Sequence, residues 1–310
     1  MLYSGMEVNM VYTVTFNPSL DYVLDVPEYV EGTVNRTTAE KILPGGKGIN
    51  VSIVLNNLGV DNRAICFVAG FTGHALKALL DAEGVNADCI DIEDGMTRIN
   101  VKLRGSNETE INGQGPVIKS HYINNTLYEK LGYLDHEDYL VLAGSIPASM
   151  PDTTYSEIAR MMEYNGCKLI VDATGDLLKK TLPFKPFLVK PNAYELGRLF
   201  DVEIDNKDTA IQYAKKLQEM GARNVIVSMA GDGAIMVAED GNEYRLEAPQ
   251  GEVKNSVGAG DSMLAGFLSG YIYNGRYDTA FKMGVCTGSA SAFSEELATR
   301  AEVEALMKNI

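Results

Sequence analysis

Residues 255–261 read Asn255-Ser256-Val257-Gly258-Ala259-Gly260-Asp261 and run directly into the apolar helical pattern Met263-Leu264-Ala265-Gly266-Phe267-Leu268. Small residues at the start of a helix leave backbone N–H groups free, and these groups together with the helix dipole can hold an anion. One carboxylate, that of Asp261, stands just inside the same helix. An anion site beside a single aspartate indicates phosphoryl transfer to a hydroxyl group.

Short apolar runs alternate with helical patterns along most of the chain. This alternation predicts a three-layer α/β/α core with a mainly parallel sheet, whose ligands bind beyond the carboxyl ends of the strands. The predicted strands are Ala64–Ala69, Tyr139–Ala143, Lys168–Asp172, Phe187–Lys190, Asn224–Met229 and Ala234–Ala238. The predicted helices between them are Leu76–Ala82, Tyr155–Tyr164 and Ala210–Met220.

Three segments break this rhythm, namely residues 12–26, 33–43 and 98–112. They are strand-like with polar alternation, and we interpret them as a small β-sheet inserted into the core, which could act as a lid that excludes water. Residues 1–9 differ in character from the rest of the chain and are left out of the predicted fold. The interpretation is therefore a single domain over residues 10–310.

The composition excludes several classes of protein. The chain has 310 residues, 45% of them hydrophobic, and a net charge of −15, which disfavours nucleic acid and anionic membranes as partners. No apolar run approaches the roughly 18 residues of a membrane span, and no signal peptide is evident, so we expect a soluble, cytoplasmic protein. The four cysteines are far apart in sequence, which argues against a disulfide framework or a zinc site.

A second glycine-rich turn, Gly45-Gly46-Lys47-Gly48-Ile49-Asn50, leads into another helical pattern. Glycines let the backbone approach a ligand closely, Lys47 adds a point charge for phosphate, and the Asn50 amide can exchange hydrogen bonds with sugar hydroxyls. A plain turn with a solvated lysine is the structural alternative. The chain has no Walker A motif and no G-x-G-x-x-G after a strand, which disfavours a nicotinamide-binding enzyme.

Other polar residues are candidates for the same site. Asp21 follows the first strand and is either a sugar-hydroxyl acceptor or a turn residue. Arg36 and Arg98 could bind phosphate or be surface charges. Ser145 offers a hydroxyl at a strand end and is either a ligand contact or part of a structural turn.

Asn192 and Glu195 stand three apart on an early helical turn. An amide and a carboxylate at this spacing suit water-mediated magnesium bound to phosphates, but the same pair would also form a helix capping box. The segment Ser228 to Ala234 is either a tight β-turn or a glycine turn under a nucleotide.

Taken together and in this order, these motifs resemble the PfkB carbohydrate kinases, which have the ribokinase-like fold, over residues 10–310. The resemblance implies an ATP- and Mg²⁺-dependent kinase that converts D-fructose 1-phosphate into D-fructose 1,6-bisphosphate, with tagatose 6-phosphate as the alternative acceptor. Asn255, where many members have Asp, favours a phosphorylated substrate. A catalytically inactive sugar-phosphate binder is a less favoured alternative, because Asp261 and Glu195 are retained.

The resemblance also implies roles for individual residues. Asp261 would be the catalytic base, with its pKa lowered by the helix N-terminus. The remaining roles are an anion hole at Gly258, Ala259 and Gly260; sugar hydroxyls at Asp21, Gly46 and Asn50; the sugar phosphate at Arg36, Lys47, Arg98 and Ser145; magnesium, through water and phosphate, at Asn192 and Glu195; and the nucleotide at Lys190, Asn192, Ser228, Gly231, Gly233 and Val257. A monovalent cation is a further candidate cofactor, and a homodimer formed through the lid is expected.

Overall fold

The computed structural model describes residues 10–105 and 108–310, so the predicted extension over residues 1–9 lies outside it. Its centre is a nine-stranded sheet whose neighbouring strands are parallel except for the last two strands at one edge, which pair antiparallel. From edge to edge the strands are β13 (Glu243–Leu246), β12 (Ala234–Val237), β11 (Asn224–Ser228), β10 (Leu188–Val189), β9 (Lys168–Asp172), β8 (Tyr139–Ala143), β1 (Val11–Thr15), β4 (Asn62–Ala69) and β5 (Ala87–Ile92).

Helices cover both faces of this sheet, which confirms the predicted α/β/α core. They are α1 (Lys47–Leu58), α2 (Gly70–Ala82), α3 (Tyr128–Leu131), α4 (Thr154–Asn165), α5 (Gly175–Lys179), α6 (Ala193–Phe200), α7 (Lys207–Glu219), α8 (Ala259–Asn274), α9 (Tyr277–Phe293) and α10 (Arg300–Met307). Leu140 and Leu142 enter the core beneath α4 and α7, while Tyr139 and Val141 enter the core beneath α8 and α9. Because both faces of β8 are buried, its sequence is a continuous apolar run.

The strands at the centre of the sheet match the prediction best. β8 and β9 have the predicted bounds, and β4, β10, β11 and β12 differ by one or two residues at their ends. β5 and β13 were not predicted from the sequence. These strands form the two edges of the sheet, where solvent-facing polar residues interrupt the apolar pattern. Among the described residues, no helix combines the length and the apolarity that crossing a membrane requires.

A second sheet of four strands lies beside this core, in the order β3 (Ala39–Gly45), β2 (Ser19–Asp25), β6 (Arg98–Arg104) and β7 (Thr109–Asn112). β2 and β6 are parallel neighbours, and β3 and β7 pair antiparallel at the edges. β2 leads directly from β1 of the large sheet, and β3 leads into α1. The small sheet therefore stands where the chain leaves the carboxyl end of a central strand.

The boundaries predicted for the small sheet need correction. Its first segment, residues 12–26, is wrong at its start, because β1 pairs with β4 and β8 at the centre of the large sheet and is largely buried on both faces. In the second, residues 33–43, the strand begins only at Ala39. The Asn35 side chain bonds to both backbone groups of Val30 and closes a turn instead. The third, residues 98–112, contains two strands, with residues 106–107 outside the described part.

A close contact between α8 and α9 leads to a stability prediction. A methyl group on Gly266 would lie 2.3 Å from Thr287 Oγ1 and 2.9 Å from the Met283 carbonyl oxygen. Gly266→Ala should therefore lower the free energy of unfolding in urea by about 1–3 kcal/mol, although alanine favours helix formation. The control is Tyr164→Ala on α4, where the side chain is 92% exposed and a change within about 0.5 kcal/mol is expected. A stabilised Gly266→Ala protein would contradict this packing.

Candidate active site

A cavity of about 770 Å³ lies between the carboxyl ends of the large sheet and the inner face of the small sheet. It brings together nearly all of the residues that the sequence analysis singled out: Asp21, Gly46, Lys47, Asn50, Arg98, Lys190, Asn192, Glu195, Ser228, Gly231, Gly233, Val257, Gly258, Ala259, Gly260 and Asp261. These positions come from both sheets and from the starts of three helices, so the cavity exists only in the folded chain.

Two predicted residues lie elsewhere. Ser145 lines an adjoining cavity of about 380 Å³, which shares Lys47 and Arg98 with the main one. Arg36 is exposed in the segment between β2 and β3 and is not among the residues that line either cavity. Arg36 was predicted from its residue type alone. Within one chain, the fold does not bring it near the other predicted site residues.

The start of α8 provides free backbone donors. Gly258 takes a left-handed conformation with φ 78°, which glycine adopts without strain, and the helix begins at the next residue. Ser262 N donates to the Gly258 carbonyl oxygen at 2.8 Å. The amides of Gly260 and Asp261 precede this bond and stay outside the hydrogen-bond ladder of the helix. They are therefore available to an anion.

Asp261 is almost completely buried at this helix start, and its carboxylate accepts a hydrogen bond from Asn50 Nδ2 at 2.8 Å. Burial, together with the nearby charge of Asp172, raises the pKa of Asp261 to about 6, although Lys47, Asn50 and Lys190 oppose the shift. The predicted lowering of this pKa is wrong. Loss of hydration outweighs the favourable helix dipole at this position.

Asp172, which the sequence analysis missed, is the centre of the charge network. It ends β9, is 1% exposed, and lies between two lysines: Lys47 Nζ is 3.2 Å from its Oδ1, and Lys190 Nζ is 3.5 Å from its Oδ2. Burial acts to raise the pKa of Asp172, but the two ammonium groups outweigh burial and lower it. Asp172 could have been proposed from the sequence, because it is an aspartate at the carboxyl end of a buried parallel strand, where ligands bind.

The same network keeps its lysines close to the helix start. Burial acts to lower the pKa of Lys47, yet Asp172, Asp261 and Glu195 together raise it, so this side chain is cationic at neutral pH. A methyl group on Gly260 would lie 3.2 Å from Lys190 Nζ, which places that ammonium group against the first turn of α8. An anion at the helix start would thus meet both backbone N–H groups and a cation.

Asp21 is fixed by its neighbours in the small sheet. Its Oδ1 accepts hydrogen bonds from Ser19 Oγ at 2.6 Å and from Asn100 Nδ2 at 3.0 Å. Lys102 Nζ, which is buried, lies 3.3 Å from Oδ2. Asn100 and Lys102 are cavity residues that were not predicted. They follow Arg98 at alternate positions along β6, and alternate residues of a strand face the same side of the sheet.

Asn192 and Glu195 form the capping box at the start of α6. Asn192 Oδ1 accepts from Glu195 N at 2.7 Å, and Asn192 N donates to Glu195 Oε2 at 2.9 Å. The structural alternative for this pair is therefore present, and both side chains still line the cavity. Within residues 10–105 and 108–310, no group of three or more His, Cys, Asp or Glu side chains is placed to hold a metal ion.

A glycine-rich turn and several apolar side chains form another part of the cavity wall. Ser228, Gly231 and Gly233 line it at the turn between β11 and β12. A methyl group on Gly231 would meet no atom within 4 Å, so this turn faces open space. Apolar residues that were not singled out from the sequence also line the cavity, namely Pro249, Val253, Met263, Val285 and Phe293. They suit a flat heteroaromatic ring.

The site thus combines polar and apolar lining residues with a buried carboxylate of raised pKa beside a helix start that can hold an anion. This arrangement is typical of a phosphotransferase that moves a phosphoryl group from a nucleotide to the hydroxyl group of a small acceptor.

The comparisons with known proteins agree with this class. Residues 14–303 match the pfkB family of carbohydrate kinases, and the chain belongs to that family. It is 45% identical to the 1-phosphofructokinase of Bacillus subtilis, over 97% of this chain and 98% of that protein. It is 33% identical to the D-tagatose-1-phosphate kinase of Bacillus licheniformis, over 93% and 94% of the two chains. Phosphofructokinase-2 from Escherichia coli, solved with fructose-6-phosphate, superposes with a TM-score of 0.90 at 27% identity, over 97% of this chain and 99% of that one. The protein is therefore a phosphotransferase.

The raised pKa of Asp261 predicts that this carboxylate weakens the fold. Since the pKa rises from 3.8 to about 6 on folding, stability is lost as the pH rises through this interval. Asp261→Asn removes the buried charge and keeps an acceptor for Asn50. In urea at pH 8 it should raise the free energy of unfolding by about 1–3 kcal/mol, and the gain should shrink toward pH 4. The exposed Asp152→Asn is the control, and a gain that does not depend on pH would contradict the assignment.

Proposed function

We propose that the protein transfers the γ-phosphoryl group of ATP to the 6-hydroxyl of D-fructose 1-phosphate, which yields ADP and D-fructose 1,6-bisphosphate. The observation that supports this most strongly is the position of Asp261, at the α8 anion site and hydrogen-bonded to Asn50 of α1. The substrate is suggested by the names of relatives, including the 45% identical protein of Bacillus subtilis.

In this proposal Asp261 orients the attacking hydroxyl and accepts its proton. Because the transition state of phosphoryl transfer is loose, the proton leaves late, and a carboxylate with a pKa of about 6 is ionised at neutral pH when it is needed. The phosphoryl group would be held during transfer at the predicted turn of Gly258, Ala259 and Gly260, where the free amide of Gly260 faces it. Lys190, against the same helix turn, adds a positive charge on that side.

The sugar phosphate would bind at the part of the cavity lined by Asp21, Lys47 and Arg98. Asp21, Gly46 and Asn50 contact hydroxyl groups in the main cavity, and Lys47, Arg98 and Ser145 hold the phosphate where the adjoining cavity begins. Arg98 Nε already donates to the Asn17 carbonyl oxygen at 3.0 Å, which fixes the direction of its guanidinium group. The exposed Arg36 has no contact in this arrangement.

ATP and Mg²⁺ are the cofactors that the family implies. The donor set fits Mg²⁺ that stays largely hydrated: Glu195 uses Oε2 in the capping box, and Asn192 lies beside it, so the ion would be held mainly by phosphate oxygens and water. Such an ion would neutralise charge on the phosphates. Ser228, Gly231, Gly233 and Val257 line the space for the nucleoside, and Lys190 lies toward its phosphates.

A monovalent cation is a further proposed cofactor. Phosphofructokinase-2 from Escherichia coli has also been solved in complex with potassium. Activity measured in potassium and in tetramethylammonium chloride at equal ionic strength tests whether this chain shares that property.

The alternative acceptor is now D-tagatose 1-phosphate. The sequence resemblance had suggested the 6-phosphate of tagatose, whereas the relative from Bacillus licheniformis is named for the 1-phosphate. Fructose and tagatose differ in the configuration of one hydroxyl group. A difference of about 1–3 kcal/mol in transition-state binding would be enough to set the preference.

We also propose that the small sheet is a lid through which two copies associate. Its outer face carries Tyr22 opposite Ile42 and Val101, and Val101 opposite Ile111, so apolar side chains from all four strands share one face. Ile42 is 51% and Ile111 59% exposed. A second copy would bury this apolar surface. The Escherichia coli protein is described in one structure as a tetrameric inhibited form.

The dimer proposal predicts the effect of one charge. Ile42→Glu would put a carboxylate into the apolar surface that the second copy buries, so light scattering should show a molar mass of two chains for the natural protein and of one chain for the variant. Tyr164→Glu on the exposed face of α4 is the control and should stay dimeric. A natural protein that is monomeric at micromolar concentration would contradict the proposal.

The catalytic assignment predicts the behaviour of Asp261→Asn. Without a proton acceptor, kcat should fall by about 10²–10⁴-fold, while ATP binding measured by calorimetry changes little. ADP release with D-fructose 1-phosphate, and ³¹P NMR of the product, give the readout. A near-normal kcat would exclude Asp261 as the base. A natural protein that releases no ADP with any sugar phosphate would instead favour an inactive sugar-phosphate binder.

The phosphate subsite predicts a selective effect at Arg98. Arg98→Leu should raise KM for the sugar phosphate at least about tenfold and leave KM for ATP nearly unchanged, because the lost contact is to the sugar phosphate alone. Arg104→Leu, also on β6 but outside the main cavity, is the matched control. Equal effects of Arg98→Leu on both KM values would place the arginine elsewhere in the reaction.

A further inference from the structure

Two of the four cysteines meet in the fold, although 23 residues separate them in sequence. Cys66 of β4 and Cys89 of β5 are register partners in the parallel ladder, and their Sγ atoms are 3.2 Å apart. Paired strands lie about 4.8 Å apart. This spacing falls within the range of about 4.4–6.8 Å between Cα atoms that disulfides bridge. A bond between the two sulfur atoms therefore needs only a small approach.

The environments of the two thiols differ in a way that orders their reactivity. Cys66 is fully buried against Leu76 and Leu80 of α2, whereas Cys89 is only partly buried on the edge strand β5. The hydrogen bond from the Cys66 thiol lowers the pKa of Cys89; burial opposes this, Lys77 supports it, and Asp91 and Asp88 oppose it. The same contact and burial raise the pKa of Cys66 well above its ordinary value. Cys89 is thus the accessible thiol and the more readily ionised of the two, and Cys66 is the thiol behind it.

The other two cysteines are inert by comparison. Cys167 is buried with its thiol donating to the Asp138 carbonyl oxygen at 3.4 Å, and burial raises its pKa to about 12. Burial raises the pKa of Cys286 to about 11. Neither contacts a second sulfur atom among the described residues, so these two positions serve as internal controls.

We propose that Cys66 and Cys89 form a dithiol site that small-molecule disulfides of the glutathione class oxidise to an intramolecular disulfide. The Cys89 thiolate attacks one sulfur of the small disulfide, which forms a mixed disulfide and releases one small thiolate. Cys66 then gives its proton to the departing small thiolate as it attacks the Cys89 sulfur, so that the second half of the small disulfide leaves as a thiol. In the balance, two protein thiols are oxidised and one small disulfide is reduced to two thiols. Cys89 is the entry point and Cys66 the resolving residue.

The experiment treats the reduced full chain with glutathione disulfide at pH 8 and measures the intact mass without reductant. The natural protein should lose the mass of two hydrogen atoms, and two of its four cysteines should stop reacting with Ellman's reagent after unfolding. Peptide mapping should find the link between Cys66 and Cys89. Retention of all four thiols, or a link that involves Cys167 or Cys286, would overturn the proposal.

The order of the two steps has its own test. Cys66→Ser leaves Cys89 without its resolving partner, so this variant should retain one glutathione bound to Cys89. Cys89→Ser should form neither the mixed disulfide nor the internal one, because Cys66 is buried. The Cys167→Ser/Cys286→Ser double variant should behave like the natural protein. Cys66→Ala serves as a second resolving-thiol variant if the serine disturbs folding, which circular dichroism reports. Glutathione captured by Cys89→Ser but not by the Cys66 variants would reverse the assignment and contradict the proposal.

Discussion

The charge of Asp261, buried at the start of α8, is the constraint on which the rest of the site depends. An ionised carboxylate with almost no solvent contact is unfavourable unless polar groups surround it. Asn50 supplies a hydrogen bond, and Lys47 and Lys190 lower its pKa. Asp172 offsets the charge of those lysines, so that the whole group is close to balanced. The result is a carboxylate whose pKa lies just below neutrality, where a proton acceptor is most useful.

This constraint explains why the two glycine-rich turns face each other. α1 and α8 begin at the same edge of the parallel sheet, and the Asn50–Asp261 bond joins their first turns across 211 residues of sequence. The free amides of the first turn of α8 favour a bound anion, and Lys47 and Arg98 add positive charge to the cavity wall. In a chain with a net charge of −15, anionic substrates must be drawn by such local groups. The small sheet covers the cavity on the side away from the large sheet and supplies Asp21 and Arg98 to its lining.

Much of the fold and of the candidate site could be predicted, because the sequence patterns that indicate them are local. Glycine followed by a helical pattern revealed Gly45–Asn50 and Gly258–Asp261, and apolar runs such as Tyr139–Ala143 gave the sheet. The missed features depend on neighbours far away in sequence. Asp172 matters because Lys47, 125 residues distant, reaches it. The pKa of Asp261 was expected to fall because the helix dipole is visible in the sequence, whereas burial is not. Conversely, Arg36 has the right residue type but lies on an exposed segment.

The most direct test of the account is a comparison of kcat/KM, with saturating ATP, for D-fructose 1-phosphate, D-tagatose 1-phosphate, D-fructose 6-phosphate and unphosphorylated D-fructose. A cavity that holds phosphate at one end and presents the 6-hydroxyl to Asp261 at the other should give the highest value with D-fructose 1-phosphate. D-fructose should be poorest, because it leaves the basic groups of the phosphate subsite without a partner. A higher value with either of the other two phosphates, or equal values with fructose and its 1-phosphate, would contradict it.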